Sequence, residues 1–153
     1  MSHPLAFANQ SIYHGRILLT GWRHTEDQQS DPREQVALAY APIVREKFLD
    51  AYGWLLLAAC RVVQVPERPP HSVSELPPLP AGLVRPAEVD ACAALESDGW
   101  IASLKRPITR ASFSLRPGQL ASDVSSVERR HFEVWLQQLE GLSGLIADAI
   151  DES

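Results

Sequence analysis

The sequence predicts an all-α protein, an antiparallel four-helix bundle-like domain with a long Pro-rich crossover between helices two and three. Apolar residues recur every three or four positions over long stretches, as on the buried face of a helix. No segment longer than a few residues alternates as a strand does, and seven of the twelve prolines lie within residues 64–86. We therefore expect one domain over residues 1–153, with helices at approximately 5–24, 32–63, 87–105 and 125–150.

The first helix is predicted from a single apolar stripe whose members lie three and four residues apart. Glycine destabilises a helix by roughly 1 kcal/mol relative to alanine. The glycine within this stripe therefore predicts close approach of a neighbouring helix. The members of the stripe are Leu5, Ala8, Ile12, Gly15, Leu19 and Trp22.

The second helix is predicted to begin at Asp31-Pro32, which suits an aspartate N-cap followed by proline in the first helical position. Pro42 lies inside this helix and is expected to kink it or to split it in two. Residues 51–60 are apolar nearly all round, which is typical of a helix at the centre of a bundle.

The second half of the chain contains the crossover and two more helices. Residues 64–86 form the Pro-rich connection, because so high a density of proline is incompatible with a helix or a central strand. The third helix follows, with a break expected at Asp98-Gly99. The last helix is predicted to start at Ser125, which together with Glu128 three residues later matches a capping box.

Composition restricts the classes of function. The net charge of −5 argues against nucleic-acid binding, since such proteins normally present a basic face. The two cysteines, Cys60 and Cys92, are expected to be reduced and largely buried. The first residues lack the basic and apolar regions of a signal peptide, and the apolar stretch 54–65 is too short to span a bilayer. We therefore expect a cytoplasmic protein with no membrane partner.

No group of residues in the sequence matches a catalytic or metal-binding pattern. Glu128-x-x-His131 has the spacing of di-iron bundles, but the second such motif that this chemistry needs is missing. His14 and His24 are ten residues apart on helix one, too far to share one ion. A nucleophile elbow and a phosphate-binding glycine loop are missing too. The expectation is no catalytic residue, no metal site and no cofactor.

Two features of the sequence are candidates for binding a partner. Trp54 lies on the mixed face of helix two, where it is either an exposed interface anchor or buried under the Pro-rich segment. Within that segment, Pro77, Pro78 and Pro80 would fit an aromatic groove on a partner, or they would pack along their own bundle.

A third candidate is the pair Arg129-Arg130, which places positive charge at the start of the last helix. The helix dipole disfavours positive charge at this end. A functional interpretation is contact with an acidic partner or an anion. A solvated first turn, offset by Glu128 and Glu133, is the simpler explanation.

Several features resemble those of a known group of proteins. They are Asn9-Gln10, Tyr13 and Trp22 in helix one, Arg45-Glu46, Leu49, Tyr52-Gly53, Leu55-Leu56 and Cys60 in helix two, and Trp100-Ile101-Ala102. Together they resemble a family of uncharacterised small helical bacterial proteins, over about two thirds of the chain. The resemblance implies a helical fold and an intracellular bacterial origin, and it transfers no catalytic residue.

The leading hypothesis for function is a non-enzymatic cytosolic helical module or adaptor that binds another protein or itself, in the latter case as a homodimer. The lack of an assembled catalytic set supports this hypothesis. The alternative is a small-molecule binder or a metal-free hydrolase with a pocket between the helices. The polar groups expected in such a pocket are Tyr13, Arg16, Arg45, Glu46 and Tyr52.

Overall fold

The structure is a computed structural model that describes residues 3–79, 81–109 and 128–152. Over these ranges it is all-helical, as predicted, and contains no strand. The helices are α1 (Pro4–Asp27), α2 (Arg33–Ala59), α3 (Ala87–Asp98), α4 (Trp100–Lys105) and α5 (Arg129–Asp151). A single 3₁₀ turn, Val73–Glu75, lies in the connection between α2 and α3.

The helix α2 is the centre of the fold. It packs against α1 and α5 and also contacts α3 and α4. All eight residues from Ala51 to Ala58 are buried, as the apolar composition of this stretch predicts. The helices α1 and α2 run antiparallel, because Gly15 lies against Phe48 while Trp22 stacks on Tyr40. Ion pairs show that α1 is also antiparallel to α5, since Arg16 pairs with Glu140 and Arg23 with Glu133.

The apolar stripe predicted on α1 forms its buried face. Ala8, Ile12, Leu19 and Trp22 are almost fully buried. A Cβ atom at Gly15 would overlap the Phe48 ring of α2 and lie 2.9 Å from its Cδ1 atom. The glycine therefore permits the close approach of α2 that its place in the stripe predicted.

The predicted start of α2 is wrong by one position. Asp31 is not the N-cap, because Pro32 has an extended backbone and takes that place. The Pro32 carbonyl accepts bonds from the amides of Gln35 and Val36, at 3.0 and 3.1 Å. The helix continues unbroken through Pro42, so of the two expected effects, a kink or a split, the split does not occur. Pro42 lies on the exposed side, where water can hydrate the carbonyl that lacks a helical partner.

The helix α2 ends at Ala59 rather than at 63, because a Schellman motif terminates it. The Arg61 amide donates to the Ala58 carbonyl at 3.0 Å, and the Val62 amide donates to the Leu57 carbonyl at 3.1 Å. Arg61 has a φ of 55°, in the left-handed region that glycine usually occupies at this position. The apolar pattern continues past this turn, so periodicity alone does not locate the end of the helix.

The predicted third and fourth helices also need adjustment. The break expected at Asp98-Gly99 is confirmed, because Gly99 is extended and separates α3 from α4. The described part of helix α5 begins at Arg129, with Glu128 as its N-cap. Ser125 lies outside the described residues. The capping box that the structure contains joins Glu128 to His131.

The connection after α2 lies against that helix. We call residues 64–79 the strap. Pro70 and Val73 of the strap are buried, and Val65 and Leu76 pack on the core. At Gly53 of α2, a Cβ atom would overlap the Pro70 carbonyl oxygen and lie 2.9 Å from Pro69 Cβ. The strap can therefore approach α2 this closely only because residue 53 has no side chain.

We expect the substitution Gly53→Ala to lower the free energy of unfolding by about 1–3 kcal/mol, since the new methyl group overlaps backbone that cannot easily move. The matched control is Gly141→Ala on α5, where a Cβ atom would meet nothing within 4 Å. This control should raise stability by about 0.5–1 kcal/mol through helix propensity. Urea unfolding of the three proteins measures both changes. Equal effects of the two substitutions would contradict the close contact at Gly53.

Candidate functional site

Polar groups converge where the strap crosses α2. His71 Nε2 lies 2.9 Å from Asp50 Oδ1, and the His71 amide donates to Glu75 Oε2 at 2.9 Å. The imidazole thus faces a carboxylate of α2, while its backbone is held by a carboxylate of the strap itself. Glu46 lies one helical turn before Asp50 and shares its face of α2.

The residues that follow His71 are tied to α3 and α4. The Val73 amide donates to Glu96 Oε2 of α3 at 3.0 Å. The Lys105 ammonium of α4 donates to the Ser72 hydroxyl and, at 3.0 Å, to Glu96 Oε1. Three consecutive strap residues are therefore bonded to three different helices, which fixes the position of the strap on α2.

Glu46, Asp50 and His71 have the composition of a metal-binding set. One potential ligand atom from each residue lies within 4.8 Å of the other two. The Glu46 side chain is exposed, and the other two are half-buried. Two carboxylates and one imidazole are ligand types that several divalent transition metals accept.

The surroundings of His71 favour its charged form. The hydrogen bond to Asp50 is the largest influence and raises the pKa of His71 above its usual value. Partial burial opposes this shift, while the negative charges of Asp50, Glu46 and Glu75 add to it. The cluster is therefore a region of negative potential centred on one imidazole.

The five side chains predicted to line a pocket do not meet in one place. Tyr13 is 57% exposed on the outer side of α1, and Arg16 bonds Glu140 of α5 at 2.8 Å. Glu46 is exposed in the cluster above, and Tyr52 is fully buried. The fifth side chain, Arg45, connects α2 to α4, because its guanidinium donates to the carbonyls of Leu104 and Lys105 at 3.1 and 2.6 Å. It thereby satisfies carbonyl groups at the end of α4.

Two buried groups near the strap, the Tyr52 hydroxyl and the Cys92 thiol, stay protonated at neutral pH. Burial raises the pKa of the Tyr52 hydroxyl, and the neighbouring Cys92 and Glu96 raise it further. Burial likewise raises the pKa of the Cys92 thiol to about 11. Cys60 is also a free thiol, with a pKa raised by burial. None of these groups is a ready nucleophile at neutral pH.

The residues predicted to bind a partner have different environments. Trp54 is only 9% exposed, with its ring centroid 5.0 Å from that of Phe7. Pro77 is exposed and lines an open groove of 550 Å³ between the strap and the end of α2. Pro78 is exposed, and Pro80 lies outside the described residues.

The two arginines at the start of α5 are both paired. Arg129 bonds Glu26 of α1 at 3.2 Å and Glu133 of its own helix at 2.6 Å. Arg130 is 73% exposed and lies 2.9 Å from Glu128. Arg129 therefore joins α5 to α1. This agrees with the simpler interpretation, in which nearby glutamates offset the positive charge.

Two further concave surfaces occur among the described residues. One, of 230 Å³, lies between the ends of α2 and α5, and the other, of 410 Å³, lies between the end of α1 and the start of α5. None of the five predicted pocket residues lines either of them or the strap groove.

Sequence inspection missed the cluster at the strap. The histidines that lie at helical spacing are His14, His24 and His131, whereas His71 lies in the Pro-rich segment and its partner Asp50 is 21 residues earlier. The available signal was Glu46 with Asp50, two carboxylates one turn apart on a helix, followed by a histidine in the segment that returns along that helix.

Comparisons with known proteins do not assign this arrangement. No protein-family model, no curated protein and no solved structure matches the chain. Within the described residues, every helix is too short or too polar to traverse a bilayer.

The Glu128-x-x-His131 pair forms the N-terminal cap of α5. The Glu128 amide donates to His131 Nδ1 at 2.9 Å, and the imidazole stacks on Trp135 at 6.2 Å. Burial lowers the pKa of His131, and the charge of Arg130 lowers it further, while Glu128 opposes the shift. Only a neutral imidazole can accept this bond, because a protonated ring is a donor at both nitrogens.

This cap predicts a pH dependence of stability. Since the folded pKa of His131 is lowered, the unfolded chain binds the proton more readily. The cap should therefore stabilise the protein above the ordinary histidine pKa and be lost as the pH falls through the lowered folded value. The loss should be about 1 kcal/mol, the typical contribution of an N-cap.

The variant His131→Gln is the control, because glutamine at this position supports a capping box without titrating. Urea unfolding of both proteins between about pH 5 and pH 8 isolates the contribution of His131. We expect the wild type to lose stability relative to the variant on acidification. A difference that is constant with pH would contradict the assignment.

Proposed function

We propose that the protein is a non-enzymatic cytoplasmic interaction module that pairs with a second copy of itself through the outer face of α1. The observation that supports this is an uncharged exposed stripe along almost the whole helix, which we call the α1 stripe. Its members are Ala6, Gln10, Tyr13, Ile17, Thr20 and His24, all exposed and spaced four and three residues apart. None of them is Asp, Glu, Lys or Arg.

This lack of charge is unusual for a solvent-facing helix, whose outer face normally contains charged residues. The helix α1 has charged residues, but they lie elsewhere. Arg16 and Arg23 turn towards α5, where they pair with Glu140 and Glu133. Glu26 pairs with Arg129. The charges of α1 thus stabilise its contact with α5 and leave the α1 stripe neutral.

The centre of the α1 stripe has the composition of an interface. Tyr13 is 57% exposed and Ile17, one turn later, is 52% exposed. Aromatic residues are enriched and charged residues depleted at the core of protein interfaces. From residue 6 to residue 24 the stripe extends over about 27 Å, long enough for two helices to pack along several turns.

A second copy is the occupant that the charges favour. The chain has a net charge of −5, so most of its surface repels another copy. A neutral stripe avoids that repulsion and is complementary to itself about a two-fold axis, the commonest symmetry of soluble oligomers. The alternative of a small-molecule pocket has less support, because the five polar groups expected in it line none of the three concave surfaces described above.

The test is sedimentation velocity over a wide range of protein concentration. We expect a monomer–dimer equilibrium in the wild type. Ile17→Asp should weaken dimerisation about tenfold or more, because it buries a charge at the centre of the interface. The matched control is Val134→Asp on α5, since Val134 is also 52% exposed.

The control should leave dimerisation unchanged. A wild type that stays monomeric at every concentration would contradict self-association. A dimer that Val134→Asp disrupts and Ile17→Asp does not would contradict the choice of the α1 stripe.

A further inference from the structure

We propose that Glu46, Asp50 and His71 bind a single divalent transition-metal ion, of the zinc class, which joins the strap to α2. This site is separate from the α1 stripe and does not depend on it. It combines ligands from two chain segments, two carboxylates from one turn of α2 and an imidazole from the strap.

The geometry of the three groups suits a common ion. Zinc bonds to histidine nitrogen and to carboxylate oxygen at about 2.0–2.2 Å, so in a tetrahedral site its ligand atoms lie roughly 3.4 Å from one another. His71 Nε2 and Asp50 Oδ1 are already 2.9 Å apart. The full set lies within 4.8 Å, and rotation of the exposed Glu46 side chain would bring its carboxylate closer to the other two ligands.

The backbone around the imidazole is already in place. The His71 amide is bonded to Glu75, and the next two residues are bonded to Lys105 and Glu96. The residue before His71, Pro70, is buried, and its carbonyl group lies against Gly53 of α2. An ion would therefore find the His71 backbone positioned by contacts that do not involve the metal, and it would replace the proton between His71 Nε2 and Asp50.

The charge balance of the cluster also favours a cation. Glu46, Asp50 and Glu75 all act on His71, and no lysine or arginine of the described residues forms an ion pair with any of these three carboxylates. Six carboxylates elsewhere in the described residues do have such a partner, an arginine or a lysine: Glu26, Asp90, Glu96, Glu128, Glu133 and Glu140.

The ligand types determine the class of ion. Magnesium and calcium prefer sites composed of oxygen alone, whereas imidazole suits zinc and its neighbours in the transition series. Three protein ligands leave a fourth tetrahedral position for water. Because the ligands come from α2 and from the strap, metal binding should also stabilise the folded chain.

The test is isothermal titration calorimetry of the full chain with zinc chloride, which measures the stoichiometry and affinity of binding. Thermal unfolding of each sample measures its Tm. We expect one zinc ion per chain, a higher Tm with zinc, and no comparable effect of magnesium. His71→Ala should abolish binding. Glu46→Gln should weaken it at least about tenfold. His24→Ala, which removes an exposed histidine outside the cluster, should bind like the wild type.

The Glu46→Gln variant separates loss of a ligand from loss of folding. Glu46 is exposed and has no ion-pair partner among the described residues, so Glu46→Gln should fold normally even if His71→Ala does not. Circular dichroism without metal identifies any variant that is unfolded. The proposal is overturned if zinc does not bind, if His24→Ala abolishes binding, or if folded Glu46→Gln binds zinc as tightly as the wild type.

Discussion

The close approach of the strap to α2 at Gly53 is the contact on which the rest of the strap arrangement depends. An extended chain can lie directly on a helix only where the helix has no side chain in the way, and Gly53 provides that position beneath Pro69 and Pro70. With Pro70 fixed there, His71 falls beside Asp50, one turn earlier on α2. The next residues reach the hydrogen-bonding groups of α3 and α4, and Val73 enters the core.

Charge is used in a consistent way across the fold. At one end, Glu26 and Glu133 hold Arg23, Arg33 and Arg129, and so join α1, α2 and α5. Partly exposed ion pairs of this kind each contribute little stability, but as a network they fix which helix faces meet. Two regions differ from this pattern. One is the uncharged α1 stripe, and the other is the group of carboxylates around His71, which no lysine or arginine of the described residues pairs with.

The fold was largely predictable from the sequence, whereas the candidate site was not. The 3.6-residue period of apolar residues identified α1 and α5, because each buries one face. It also identified α2 as central, because residues 51–58 have no polar face. The same signal could not locate the end of α2. Arg61 adopts the left-handed conformation there, whereas a glycine, which would have marked the end of the helix in the sequence, is missing. Nor could it align the strap with α2, because a Pro-rich segment has no periodicity. The pairing of His71 with Asp50 could therefore not be predicted from the sequence.

Amide hydrogen exchange in the strap tests most directly whether this segment is fixed on the bundle. The amides of His71 and Val73 donate to Glu75 and Glu96, respectively. We predict that these two amides exchange about tenfold or more slowly than in an unstructured peptide, while that of the exposed Arg68 exchanges freely. Exchange of all three at the rate of an unstructured peptide would contradict the account, because the strap would then not be held on α2.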